Sequence, residues 1–541
     1  MSEVAADVSF AAAAAMPPTR AARLPRRRPP LLIALVGLAA GVVAIGPVWY
    51  LVDRALERGW SATRDELWQR RTLDLAVRSL GLAAAVTAAS VVIGVGAAWL
   101  VVRSDLRGRS VLRILFALPL AIPSYLSAFA WVSWKRELAG FWGAALVLTM
   151  VSYPFVYLPS VAALRHLDPA QEEVARSLGG TRAEIAFGLT FRQIRTSVTA
   201  GALLVALYVL SDFGAVAAMR YEVFTWVIYG AYRAGFNPTR AAVLALPLIA
   251  IALGIVLAES RARGRAVSSR IGSGSARCGA QVRLGKAAPV AWLLSLGVLF
   301  AGIAFPVARV VHWSTSFGTS DVDVADVTRT LATTLSLALF AALGAIALAL
   351  PVGILAARYR SAASTAIERS TYVAHALPGI VVAISLVYLG VRLLRPIYLE
   401  TPLLVLGYIV LFLPLAVGAV RSSIEQSPVR LEEVARSLGA NSRRVLIRVT
   451  APLAMPGIAA GAALVFLSTM KELPVTLVLH PTGTDTLATR LWSHTTVSDY
   501  ASAGPYAFAL IVFGAIPTAL LSASLFARSD RHSATRRTDR G

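Results

Sequence analysis

Residues 172–179 read EEVARSLG, and residues 432–439 read EEVARSLG again. The two copies stand 260 residues apart, and at the same offset Gly201 falls on Gly461 and Ala202 on Ala462. Eight identical residues in order, inside a chain of 541, mark a duplication before any other feature is weighed. The stretches around both copies are apolar, and they decide what has been duplicated.

Of all residues 57% are hydrophobic and 15% charged, and the mean hydropathy is +0.67. A soluble domain carries roughly 25% charged residues, so this chain lacks the polar surface to face water all round. A bilayer core about 30 Å thick needs about 20 apolar residues in a helix. Runs of that kind lie near 31–52, 78–102, 110–134, 140–164, 197–219 and 241–258. A second set lies near 288–311, 331–357, 372–394, 402–420, 456–479 and 505–527. The short alternating segments of a membrane barrel, about 10 residues each, are absent from the sequence. The expected fold is an all-α membrane protein of about twelve transmembrane helices, arranged as two six-helix repeats. Six is even, so both repeats enter the membrane in the same direction and are parallel. The expected division is a basic tail over 1–30, a first unit over 31–258, a linker over 259–287, a second unit over 288–527 and a tail over 528–541.

The formal net charge is +23, and its placement excludes a nucleic-acid reading. Arg20, Arg23, Arg26, Arg27 and Arg28 precede the first span; Arg103, Arg107, Arg109 and Arg113 surround the loop after the second. The linker and the C-terminal tail are basic too, whereas Asp321, Asp323 and Asp326 follow the seventh span on the other side. Positive charge marks the cytoplasmic side, so both termini are expected inside, in a multi-pass protein of the bacterial inner membrane. The first run is long and no small-residue cleavage site follows it, so it reads as a retained helix and not a signal peptide. Cys278 is the sole cysteine and no internal disulfide can form.

Each octapeptide lies between the fourth and fifth spans of its half, on the basic side. Asp168 and Pro169 suit the start of a helix, Gly179 its end, and Thr181 with Glu184 a capping box for the next. In the second half Ser427-Pro428 opens the helix, Gly439 ends it, and Asn441 or Ser442 caps its successor. These segments resemble the EAA loop of ABC importer permeases, Glu-x-Ala-x-x-x-Gly followed by Ile-x-Leu-Pro. The second half supplies Glu433, Ala435, Gly439 and Pro452; the first supplies Glu173, Ala175 and Gly179, with Arg192 in place of the proline. The resemblance implies the type I importer plan. It also implies that Glu172, Glu173, Ala175, Gly179, Glu432, Glu433, Ala435 and Gly439 belong to coupling helices that dock on ATPase subunits.

The chain has three lysines, Lys135, Lys286 and Lys471, and none stands in the Gly-rich context of a phosphate-binding loop. A transport subunit rather than an enzyme is expected, with no catalytic residue and no cofactor of its own. ATP and magnesium would sit on two copies of a partner ATPase, and a substrate-binding protein would deliver cargo from outside.

Ionisable residues within spans are costly and so are functional candidates. Asp212 falls in span five and Glu472 in span eleven, again 260 residues apart. They are candidates for the translocation path, where an acidic pair favours a hard cation; the alternative is a neutralising ion pair, for which Lys471 is the neighbour. No metal site is assigned. The phrases SDFGAV (211–216), FTWVIYGAY (224–232), MKELPVTLVL (470–479) and DTLATRLWS (485–493) resemble the fused ferric iron permeases. Thiamine, phosphonate and polyamine permeases share the general plan and stay open as alternatives. A secondary transporter of the major facilitator type is the rival class, on the weak similarity of Arg103–Arg109 to a loop of that family. His312, His480 and His494 show no ligand spacing. Trp49, Tyr50, Trp131 and Trp134 are expected as interfacial anchors, and Pro119, Pro123, Pro378 and Gly379 as bends along the path or packing features.

Overall fold

The computed structural model describes residues 29–538 except 58, 166, 168, 182–183, 236, 264–281, 317–322, 360 and 376. The N-terminal arginines, Asp168, Asp321 and most of the linker therefore lie outside the described residues. Apart from one isolated bridge between Ser104 and Val282, the described secondary structure is helical.

Among the described residues ten helices are long and apolar enough to cross a membrane. In the first half these are Leu31–Leu56, Arg70–Arg103, Phe141–Arg165, Gly188–Ser211 and Pro238–Ala258. In the second they are Gly285–Thr315, Val324–Arg358, Thr401–Gln426, Arg443–Met470 and Tyr500–Ala519. The other two expected spans, the third of each half, are broken. Arg109–Ala121 and Ser124–Trp134 meet at 89°, and in the second half Ala362–His375 is followed by Gly379–Arg392. Proline explains both breaks. It lacks an N–H and pushes the preceding residue out of helical backbone. Pro123 and Pro378 each sit just ahead of the restarted helix with φ −59°, ψ 141° and φ −59°, ψ 147°. The last helix runs on from Tyr500 to Thr538, past the expected end of the span at 527.

The two halves are interlocked through their first helices. Span one packs on the second half: Tyr50 stacks on Tyr388 at 4.3 Å, and the Ser385 hydroxyl donates to the Pro47 carbonyl at 3.2 Å. Span seven returns the contact: Phe305 stacks on Trp131 at 3.9 Å, and the Trp313 indole donates to Ser133 Oγ at 3.2 Å. This corrects the anchor reading for two aromatics. Tyr50 and Trp131 are buried between the halves, while Trp49 and Trp134 remain exposed. Their flat faces fill the helix crossings and are not at a lipid boundary.

The end of the linker is tied to the loop after span two. The Val282 N–H donates to the Arg103 carbonyl (2.7 Å), and the Asp105 N–H donates to the Val282 carbonyl (3.2 Å). The Leu284 N–H then donates to Asp105 Oδ1 at 2.9 Å.

Candidate functional site

The octapeptides form two short helices, Pro169–Ser177 and Val429–Ser437, ahead of spans five and eleven. The two adjacent glutamates of each helix face different surroundings, because successive residues are turned by about 100° around a helix. Glu172 and Glu432 are buried, whereas Glu173 and Glu433 are exposed. Buried charge must be paired, and both are. Glu172 makes an ion pair with Arg103, the last residue of span two, and accepts from the Thr190 hydroxyl at 3.1 Å. Glu432 accepts from Arg358, the last residue of span eight, at 2.9 Å and from the Thr450 hydroxyl at 3.1 Å. Arg358 also donates to the Ser427 carbonyl at 3.0 Å.

Gly179 and Gly439 close their helices with φ of +87° and +85°, a left-handed conformation that glycine adopts without steric cost. The Gly180 N–H reaches back to the Ala175 carbonyl and the Ala440 N–H to the Ala435 carbonyl, both at 3.0 Å, which satisfies the open helix end. Beyond the turn, both halves enter the fifth span of their set through a π-helical segment, Glu184–Thr190 and Leu446–Thr450. Both have it, though only the second carries a proline, Pro452, so the entry does not depend on that residue. The outer face of each helix leaves apolar side chains beside its exposed glutamate: Val174 and Leu178 at 58% and 83%, Val434 and Leu438 at 55% and 81%. An exposed apolar strip with a charged edge is the pattern of a helix that docks in a groove.

Asp212 and Glu472 occupy places that differ from the expectation. Span five ends at Ser211 and span eleven at Met470, so both carboxylates stand in short breaks past the helix ends. Each caps the brief helix that follows, where free amides favour an anion. Asp212 accepts from the Ala215 N–H at 2.8 Å and from the Ser124 hydroxyl at 2.5 Å. Glu472 accepts from the N–H groups of Val475 at 3.0 Å and Thr476 at 3.2 Å, and from the Thr476 hydroxyl at 3.2 Å. Among the described residues neither makes an ion pair. Lys471 turns across to the first half instead and donates to the Leu120 carbonyl, in the break of span three, at 2.5 Å. The two breaks therefore meet across the junction of the halves.

Among the described residues no group of three or more His, Cys, Asp or Glu side chains comes together to hold a metal. His480 contacts the Thr476 carbonyl and His494 pairs with Asp499 at 3.0 Å, each in its own surroundings. Arg103 was read only as a basic residue of its loop, and Arg358, Thr190 and Thr450 were not singled out from the sequence. The threonines share the 260-residue offset and were open to discovery; the arginines stand 255 apart and escape that offset.

Paired six-helix units, broken third spans and a surface helix ahead of the fifth span of each define an integral-membrane permease. Residues 90–264 and 349–533 each match the family of binding-protein-dependent transport system inner membrane components, and the chain belongs to that family. It is a multi-pass inner-membrane transport subunit of the ABC importer class and not an enzyme, and partners of the ATPase and substrate-binding kinds go with that class. It is 34% identical over 505 residues to the Fe(3+)-transport system permease protein FbpB 2 of Haemophilus influenzae, covering 92% of this chain and 99% of that one. The molybdate/tungstate permease WtpB of Pyrococcus furiosus is 25% identical over 247 residues, 44% of this chain and 98% of that one. Sulfate permease 2 of the Chlamydomonas reinhardtii chloroplast is 27% identical over 244 residues, 41% of this chain and 66% of that one.

Proposed function

We propose that this chain forms the complete translocation path of an ATP-driven importer for ferric iron. The observation that carries the cargo is the match to the Haemophilus iron permease, which runs through both halves and nearly the whole of both chains. Glu173, Ala175 and Gly179, with Glu433, Ala435 and Gly439, form two coupling helices, each docking one copy of a separate ATPase that holds ATP and magnesium. The exposed strips of Val174 with Leu178, and of Val434 with Leu438, support this docking. The face with the octapeptide helices is the cytoplasmic one, both termini lie on it, and a substrate-binding protein delivers cargo at the opposite face. Closure of the ATPases then rocks one half against the other. This chain itself binds no cofactor.

The test is uptake of radiolabelled ferric iron and of thiamine by cells lacking this gene, with and without its return. Return of the gene is expected to restore iron uptake alone. Restored thiamine uptake with iron unchanged overturns the cargo. The double variant Glu173→Ala, Glu433→Ala is expected to reach the membrane normally and lose uptake at least tenfold; unchanged uptake overturns the coupling role.

A further inference from the structure

At the face opposite the octapeptide helices, a cavity of about 250 Å³ opens at the junction of the halves. Phe129, Phe213 and Trp226 line it from the first half, Trp492 and Tyr500 from the second. Trp492 packs edge-on against Phe129 and tilted against Phe213, both at 5.5 Å, so the aromatic wall is continuous across the two halves. Its one charge is Arg220, and Ser498 adds a hydroxyl; the hydroxyls of Thr495 and Thr496 donate to the Leu491 and Trp492 carbonyls of their own helix. No carboxylate lines it among the described residues.

Two of these residues carry a further mark. Arg220 has φ +52° and Ser498 has φ +65°. Each is the left-handed residue that closes a helix, the Tyr221 N–H returning to the Val216 carbonyl and the Asp499 N–H to the His494 carbonyl, both at 2.9 Å. The two come from different halves and meet at this one cavity.

The chemistry of the lining selects its ligand. A guanidinium fork fits a carboxylate or phosphate, and aromatic walls take an apolar or planar body. A bare hard cation needs anionic oxygen ligands, and here it would meet a positive charge. Asp212, beside the lining residue Phe213, is committed to a helix amide and a serine hydroxyl, and Asp499, between the lining residues Ser498 and Tyr500, is paired with His494. We propose that the cavity is a reception site for a small oxyanion, and that ferric iron reaches the permease as an anionic, oxygen-ligated complex and not as a free ion. This rests on the ferric-iron reading above; the oxyanion site itself does not.

The full-length protein in detergent carries its own reporters, since Trp226 and Trp492 line the cavity. Tryptophan fluorescence is titrated with citrate, ferric citrate and inorganic phosphate, and sensitised terbium(III) emission reports a bare trivalent cation. A saturable response to the oxyanions is expected, weakened at least tenfold in Arg220→Gln and largely kept in Arg220→Lys, with no saturable terbium signal. No saturable oxyanion response in the unmodified protein overturns the proposal. So does an equal response in Arg220→Gln, or tight terbium binding. Ferric citrate binding more tightly than phosphate upholds both the site and its link to iron; phosphate binding as tightly upholds the site and overturns the link. Iron uptake by cells is read separately. A failed titration with intact uptake removes the cavity alone, and a sound titration without iron uptake removes the cargo reading alone.

Discussion

In the first half Asp212 caps its short helix with one oxygen and takes the Ser124 hydroxyl on the other. In the second half the carboxylate is Glu472, one methylene longer, and Gly379 stands where Ser124 does, each directly after its proline. A Cβ at Gly379 would lie 2.8 Å from Glu472 Oε1. The longer acid thus fills the space that the serine side chain takes in the first half. The octapeptide clamps differ as well. Arg436 backs up Glu432 at 3.1 Å, while the matching Arg176 stands 3.9 Å from Glu172. The Arg103 carbonyl is tied to the linker end, whereas Arg358 spends a side-chain bond on Ser427. Duplicated halves have kept the task at each position and changed the atoms that perform it.

The clamps give the largest test of that view. Removing one partner of a buried ion pair costs about 3–5 kcal/mol, because the other charge stays buried. Arg103→Ala is expected to loosen the first octapeptide helix by that much, read as faster hydrogen exchange of its amides. Arg358→Ala should cost less, since Arg436 is already within hydrogen-bond reach of Glu432. Equal losses in the two halves would break the claim that the second clamp has a reserve.

The capped breaks give a smaller effect and a sharper one. Ser124→Gly removes a hydrogen bond to a charged acceptor, worth about 1.5–3 kcal/mol. Gly379→Ala crowds Glu472 and should cost about 1–3 kcal/mol. If the acid and its neighbour exchange space, Ser124→Gly combined with Asp212→Glu should recover most of the loss in thermal unfolding. A double-mutant cycle measures this directly; purely additive losses would mean that the two pairs are unrelated solutions.

These contrasts explain what was legible in the residues alone. The membrane class, the two halves and the octapeptide helices follow from run length and from the 260-residue offset. Pro123 and Pro378 announced bends, though not that Asp212 and Glu472 would sit at the adjoining helix ends. That placement depends on where spans five and eleven stop, which an apolar run does not mark: Phe213 and Leu473 continue the hydrophobic pattern beyond the last helical turn. The clamp arginines were hidden for a different reason. Between Gly379 and Glu432 the second half holds five more residues than the first does between Ser124 and Glu172. Everything before that insertion pairs at 255, including Arg103 with Arg358. Tyr50 and Trp131 were misplaced because an aromatic near a span end serves lipid or a neighbouring helix equally well until the first-helix exchange is seen.

The smallest effect separates the halves by pH. After the octapeptide of the first half, the Thr181 N–H donates to Glu184 Oε2 at 2.8 Å and the Glu184 N–H returns to the Thr181 hydroxyl at 3.3 Å. Bonds from the Thr181 backbone N–H, and then from its hydroxyl, hold the Glu184 carboxyl below its ordinary 4.5. In the second half the cap is an amide, Asn441 Oδ1 accepting from the Arg444 N–H at 2.9 Å, and an amide does not titrate in this range. A depressed carboxyl contributes stability that is present above its ordinary value and is lost as pH falls through the lower, folded one. Taking the protein from neutral pH to well below 4.5 should therefore speed exchange at Thr181 and Glu184, after correction for the intrinsic rate, and leave Arg444 unchanged. Glu184→Gln should abolish that difference while keeping the turn. Equal loosening of both loops would show that acid acts on something the halves share, and that the carboxylate cap adds nothing of its own.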